Sequence, residues 1–156
     1  MKTNHLKITA FALIGMISVA PFISVAGTFS SPPYVKLAPA KRSALAAMKF
    51  KNIEFGFNKA TLPAEAYSSL DKVAKLMNEN KASLKLGGYA DKTGGYVYNW
   101  KLSKKRADAV KAYLVAKGSD STRIAAVEYG YTHPVASNNT SSGRKKNRRV
   151  EIHFTE

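Results

Sequence analysis

Asp91 lies in a glycine-flanked stretch, Gly88-Tyr89-Ala90-Asp91-Lys92-Thr93-Gly94, and Arg106 follows 15 positions later. A short strand ends at Gly87-Gly88, so Asp91 falls on the loop at its carboxyl edge. Arg106 falls about two turns into the next helix. A loop that folds back over that distance brings one carboxylate and one guanidinium to the rim of a common pocket. Such a pair suits a zwitterion: the carboxylate accepts from an ammonium, and the guanidinium grips a carboxylate through two parallel hydrogen bonds. Each residue also has a plainer reading, Asp91 as an Asx turn and Arg106 as a solvated charge beside Lys101, Lys104 and Lys105.

The elements that must hold this pair can be read from periodicity. Ile53, Phe55 and Phe57 alternate with Glu54 and Gly56 as in a half-buried strand. Thr61 and Pro63 open a helix carrying Leu70, Val73, Ala74 and Met77 at helical spacing, ended by Asn78-Glu79-Asn80. Leu84 and Leu86 make a second strand. A second helix is expected from about Asn99 to Ala116, with a stripe of Leu102, Ala109 or Val110, and Tyr113-Leu114, capped near Gly118. Ile124 to Tyr129 reads as a third strand, Tyr131 to Lys146 as a polar loop, and Val150, Ile152 and Phe154 as a last strand. The fold class expected is α+β, a β-α-β-α-β-β sandwich with two helices packed on a small mixed four-stranded sheet.

Length and charge bound the rest. The 156 residues include 25 Lys and Arg, 10 Asp and Glu, and no Cys, giving a formal charge of +15. Without Cys there is no disulfide framework, thiolate metal site, Cys nucleophile or thioether-linked lipid anchor. His133 and His153 are far apart and show no metal-ligand spacing, so no metal and no cofactor is expected. The excess positive charge predicts attraction to polyanions without choosing among them.

The N-terminus narrows the choice. Lys2 and Lys7 precede an uncharged run from Ile8 to Val19, Pro21 breaks it, and Ser24-Val25-Ala26 places small residues before Gly27. This is the layout of a secretory signal peptide over residues 1–26. An uncleaved anchor over Ile8 to Gly27 is the competing reading, opposed by Pro21 and the segment's Ala, Gly and Ser content. Residues 27–47, with Ser30-Ser31, Pro32-Pro33 and Pro39, read as an extended Pro/Ser/Ala-rich linker. Residues 48–156 form the domain, and no second run in the mature chain reaches membrane-spanning length. Export places the charge opposite envelope polymers rather than nucleic acid, although Arg144-Lys145-Lys146-Asn147-Arg148-Arg149 in isolation looks like a basic patch.

Three separated pieces carry a family resemblance. Gly88, Asp91 and Gly94 form the first, and Asn99, Leu102, Ser103, Arg106 and Ala107 the second. Gly143, Arg144, Asn147, Arg148, Arg149 and Val150 form the third. At this spacing the chain, over about Asn52 to Phe154, resembles the OmpA-like (OmpA/MotB C-terminal) peptidoglycan-associating domains. That resemblance implies a non-enzymatic periplasmic, cell-wall-associated protein of the envelope, with the outer membrane as one placement and a further envelope protein as a partner. It implies that Asp91 takes an ammonium of diaminopimelate in the peptidoglycan stem peptide and Arg106 its carboxylate. Thr93, Gly94 and the amides of residues 92–95, with Asn58 and Asn99, complete the pocket, and Leu102 walls it. Asn147, Arg148 and Arg149 support the Asp91 loop or touch ligand. Two departures stand out: Tyr89-Ala90 replaces the family's His-Thr, and Asn58 replaces an Asp. An anchored component of an envelope or motor complex and a wall hydrolase are the alternatives. Neither Asp91, on a loop, nor Arg106, on an exposed helix face, is expected to matter for stability.

Overall fold

In the strand Ser83–Gly88, Leu84 and Leu86 are buried and Lys85 is exposed. This alternation fixes which face of the sheet meets the helices. The computed structural model describes residues 39–155. The signal peptide expected over residues 1–26, and the linker as far as residue 38, lie outside them. The strands are β1 (Ile53–Glu54), β2 (Ser83–Gly88), β3 (Ile124–Glu128) and β4 (Arg149–Thr155), and the helices are α1 (Pro39–Ala46), α2 (Tyr67–Asn80), α3 (Tyr96–Ala116) and α4 (Ser141–Asn147). The sheet order is β1-β4-β2-β3. β2 pairs in parallel with β3, Leu84 facing Ile124, and antiparallel with β4, Leu86 facing Ile152. A parallel pair requires a long crossover, and α3 supplies it. The expected mixed sheet carrying two principal helices is the architecture found.

The core joins Leu70, Val73 and Met77 of α2, Val110 and Leu114 of α3, and Leu84, Leu86, Val150 and Ile152 of the sheet. Fully burying each such side chain contributes roughly 1.5–3 kcal/mol. β2 and α3 meet backbone to backbone. A Cβ built on Gly88 would sit 2.1 Å from the Ser103 carbonyl oxygen, so only glycine lets these backbones meet.

Four boundaries depart from expectation. Residues 39–46, expected within an extended linker, form α1, whose Leu45 is buried in the core. Pro63 stays extended and precedes a 3₁₀ turn at Ala64–Ala66, so the α2 helix starts at Tyr67. The polar stretch expected as loop contains α4, held by the Thr140 hydroxyl, which accepts from the Gly143 amide at 3.0 Å, rather than by an apolar stripe. The first strand is paired only at Ile53 and Glu54. Phe55 continues its inward alternation, but Phe57 is 63% exposed, because the chain turns at Asn58 with φ 56°.

Candidate functional site

The loop from Tyr89 to Gly95 leaves β2 and enters α3, and backbone contacts fasten its start. The Tyr89 amide donates to the Arg149 carbonyl at 2.9 Å and the Ala90 amide to the Gly130 carbonyl at 2.7 Å. Beyond them Asp91 folds the loop on itself, its Oδ1 accepting from the Thr93 amide at 2.8 Å. Gly94 adopts φ +92°, which a side chain rarely tolerates. Asn99, buried in the first turns of α3, closes the loop by donating from Nδ2 to the Thr93 carbonyl at 2.9 Å.

Asp91 has a guanidinium partner of its own. Asp91 is 3% exposed, and its Oδ2 accepts from Nη1 of Arg148 at 2.9 Å. Burial pushes the Asp91 carboxyl up, but the Arg148 and Thr93 hydrogen bonds outweigh it and hold the group below the usual aspartate range. Arg148 is itself fixed by Nε, which donates to the Phe55 carbonyl at 3.0 Å.

Arg106 corrects one expectation. It lies on no exposed helix face: it is 0% exposed and braces the backbone. Its Nε donates to the Lys59 carbonyl at 2.9 Å, Nη1 to the Tyr89 carbonyl at 2.8 Å and Nη2 to the Gly56 carbonyl at 3.3 Å. Burial, together with the nearby Arg148 charge, pushes the guanidinium down to about 10, so it remains charged at neutral pH. Among the described residues, those bonds use three of the five N–H groups a guanidinium offers.

Both guanidiniums and the carboxylate open into one cleft of about 220 Å³. The structure brings Asn58, Asp91, Thr93, Gly94, Asn99, Leu102 and Arg106 together in its lining. Phe57, Ala90, Tyr98 and Arg148 complete it. Tyr98 donates its hydroxyl to Asn58 Oδ1, bridging the two rims. Tyr98 is one of the aromatic residues that the sequence clusters near the pocket, whereas Phe57 is a wall that the sequence reading does not mark. Its adjacency to Asn58 was the available signal.

The supporting residues divide. Arg148 belongs to the cleft. Asn147 sits behind it, accepting from the Val135 and Ala136 amides at 2.9 and 3.0 Å and donating to Asn138, whose Oδ1 also holds the Lys92 amide. Arg149 points away from the cleft, its guanidinium 3.8 Å from the Tyr89 ring centroid and paired with Glu151 at 2.6 Å. The Tyr89 ring stacks on Tyr129, so of the two departures beside Asp91 only Ala90 reaches the cleft. Burial, then the Glu151 charge, pushes the Tyr89 hydroxyl up to about 12.

One carboxylate between two guanidiniums gives the cleft a net positive charge. It suits a ligand with a carboxylate to meet spare guanidinium N–H groups and a cationic group to share Asp91. Among the described residues no cluster of His, Cys, Asp and Glu could hold a metal ion, and no helix is long and apolar enough to cross a membrane.

Comparisons with known proteins bear on the family and the fold. The model of the OmpA family matches residues 54–148. Outer membrane protein A of Bordetella avium is 46% identical over 99 residues, 63% of this chain and 51% of that protein. The peptidoglycan-binding protein ArfA of Mycobacterium tuberculosis (strain H37Rv) is 44% identical over 112 residues, 71% of this chain and 34% of that protein. The crystal structure of the peptidoglycan-associated lipoprotein from Burkholderia pseudomallei has the same fold, with a TM-score of 0.66 over 68% of this chain and 91% of that one at 24% identity. The chain spans about half the length or less of the curated relatives it matches.

Proposed function

The chain belongs to the OmpA family, and on that premise we propose that it is an exported envelope protein that binds peptidoglycan without cleaving it, gripping the diaminopimelate of the stem peptide. The observation that carries this reading is the cleft in which Asp91, Arg106 and Arg148 meet. In it the ligand ammonium shares the Asp91 carboxylate, and the ligand carboxylate takes the spare N–H groups of Arg106. Thr93 and Gly94 present backbone to the ligand, and Asn58, Phe57, Tyr98 and Leu102 wall it. Arg148 keeps Asp91 ionised and aimed, so the site is organised before ligand arrives. The name of ArfA supports the same ligand class.

The test is calorimetric titration of the protein with a diaminopimelate-containing stem peptide, beside retention on purified sacculi. Binding that disappears in folded Asp91→Ala is the expected result. Binding unchanged in that variant overturns the site, and clearing of a sacculus suspension overturns the non-enzymatic reading. Export is tested separately: mass spectrometry of the mature chain should find Gly27 at its N-terminus.

A further inference from the structure

The first turns of α3 carry aromatic residues on two sides. Tyr98 faces the cleft. On the other side Tyr96 and Trp100, one turn apart, stack with ring centroids 5.8 Å apart and planes inclined by 30°, and Tyr131 meets Tyr96 edge-on at 5.9 Å. Tyr96 remains 50% and Trp100 36% exposed. Rings of this size usually lose water on folding, and a contiguous exposed set marks a contact surface.

We infer that Tyr96, Trp100 and Tyr131 form a platform for a sugar ring of the glycan strand, working beside the cleft. This rests on the proposed peptidoglycan reading and extends it from the peptide to the sugar. Pyranose rings present flat faces of C–H groups that stack on aromatic rings, while phenol hydroxyls at the edge meet the sugar's own hydroxyls. The platform and the cleft are mechanically continuous. The Gly130 carbonyl holds the Ala90 amide of the cleft at 2.7 Å, and a Cβ on Gly130 would lie 3.6 Å from the Trp100 backbone. The spacing is suitable too. The two sides of one helix are about 10 Å apart, and three extended residues span roughly 10 Å. Diaminopimelate is the third residue of the stem, counted from the sugar that bears it.

Trp100 is the sole tryptophan, so its fluorescence reports on the platform alone. The experiment compares three probes: free stem peptide, the same peptide on its disaccharide, and peptide-free glycan chains. The disaccharide-peptide should bind at least about fivefold more tightly than the free peptide. Peptide-free glycan should shift Trp100 emission. Trp100→Ala should erase the disaccharide's advantage while free-peptide binding changes less than about twofold, and Trp100→Phe should restore part of it. Should Trp100→Ala prove poorly folded, Tyr96→Ala, at a half-exposed position, carries the same comparison. Equal binding of the two peptides by the parent protein, or no response of Trp100 to glycan, overturns the platform. Failure of the free peptide to bind at all, with glycan still shifting Trp100, instead overturns the diaminopimelate reading and leaves the sugar contact standing.

Discussion

Arg148 Nη1 lies 2.9 Å from Asp91 Oδ2, joining the residue before β4 to the loop after β2 across 57 positions of sequence. The pairing gives Asp91 a permanent counter-charge, so a ligand ammonium must share the carboxylate rather than own it. Arg148→Ala should therefore do two kinds of damage. Removing one partner of a buried charge pair costs roughly 3–5 kcal/mol, read as a lower midpoint in denaturant. The surviving fold should also bind stem peptide more weakly, because Asp91 is no longer aimed. Unchanged stability would mean that the pair contributes nothing.

For Arg106 the expected outcome is loss of both stability and binding. Truncation to Ala frees the carbonyls of Gly56, Lys59 and Tyr89; the first two belong to exposed residues that water can reach, but the Tyr89 carbonyl is buried, and a buried polar group left unpaired costs about 1–3 kcal/mol. Arg106→Lys keeps a charge but cannot reach three acceptors lying in different directions, so it should rescue little. Lys104→Ala is the control. That residue is exposed and, among the described residues, pairs with Asp108 one turn away, so its midpoint and peptide affinity should match the parent.

Acid should reveal Asp91. Its folded-state value lies below the ordinary 3.8, so its stabilising contribution is complete above that value and is lost as pH falls through the lower one. Unfolding midpoints measured from neutral pH down to about pH 2 should fall more steeply for the parent than for Asp91→Asn. Glu151, likewise held down against its burial by Arg149, contributes to the slope common to both proteins. Parallel curves would show that the Asp91 pair is not coupled to folding.

Gly88→Ala should be among the most damaging single methyl additions in the domain. Its Cβ would meet backbone rather than a side chain able to move aside, so β2 and α3 would have to separate. Little soluble protein, or a fall in thermal midpoint larger than that of Gly95→Ala, is the expected result. Gly95 has open space around its Cα, which makes it the matched comparison.

Much of this architecture is legible in the residues, for identifiable reasons. The apolar spacing of Leu70, Val73, Ala74 and Met77 specifies α2 because that helix buries a hydrophobic stripe. α3 is harder to read, since its buried face is Asn99, Ser103, Arg106, Ala107, Val110 and Leu114, half of it polar. Its start at Tyr96 and the burial of Arg106 are hidden for that reason, because a guanidinium beside three lysines looks solvated. Its acceptors are backbone carbonyls that no side-chain pattern announces. α4 is missed because Ser141-Ser142-Gly143-Arg144-Lys145-Lys146-Asn147 has no apolar period, and its order comes from a capping hydroxyl and from Asn147. Spacing alone offered the pairing of Asp91 with Arg106, and it was the family resemblance that implied Asn58, Thr93, Gly94, Asn99 and Leu102 around them; all seven line one cleft. Arg148 was legible as one of three residues supporting the Asp91 loop, but not as the ion partner of Asp91 itself, because several arginines compete for that carboxylate and only the path of the chain decides between them.

The grip of Arg106 on Gly56 and Lys59 has a mechanical consequence. β1 is two residues long, and a strand that short would peel away from β4 one ladder bond at a time. The guanidinium ties the turn just beyond it to α3 with bonds to two carbonyls, and a third runs to Tyr89 beside the cleft. Tension entering through β1 is thereby shared by several bonds loaded together, and the load reaches the long helix before the sheet can unzip. One side chain thus serves as the rivet between the turn after β1 and the rim of the cleft.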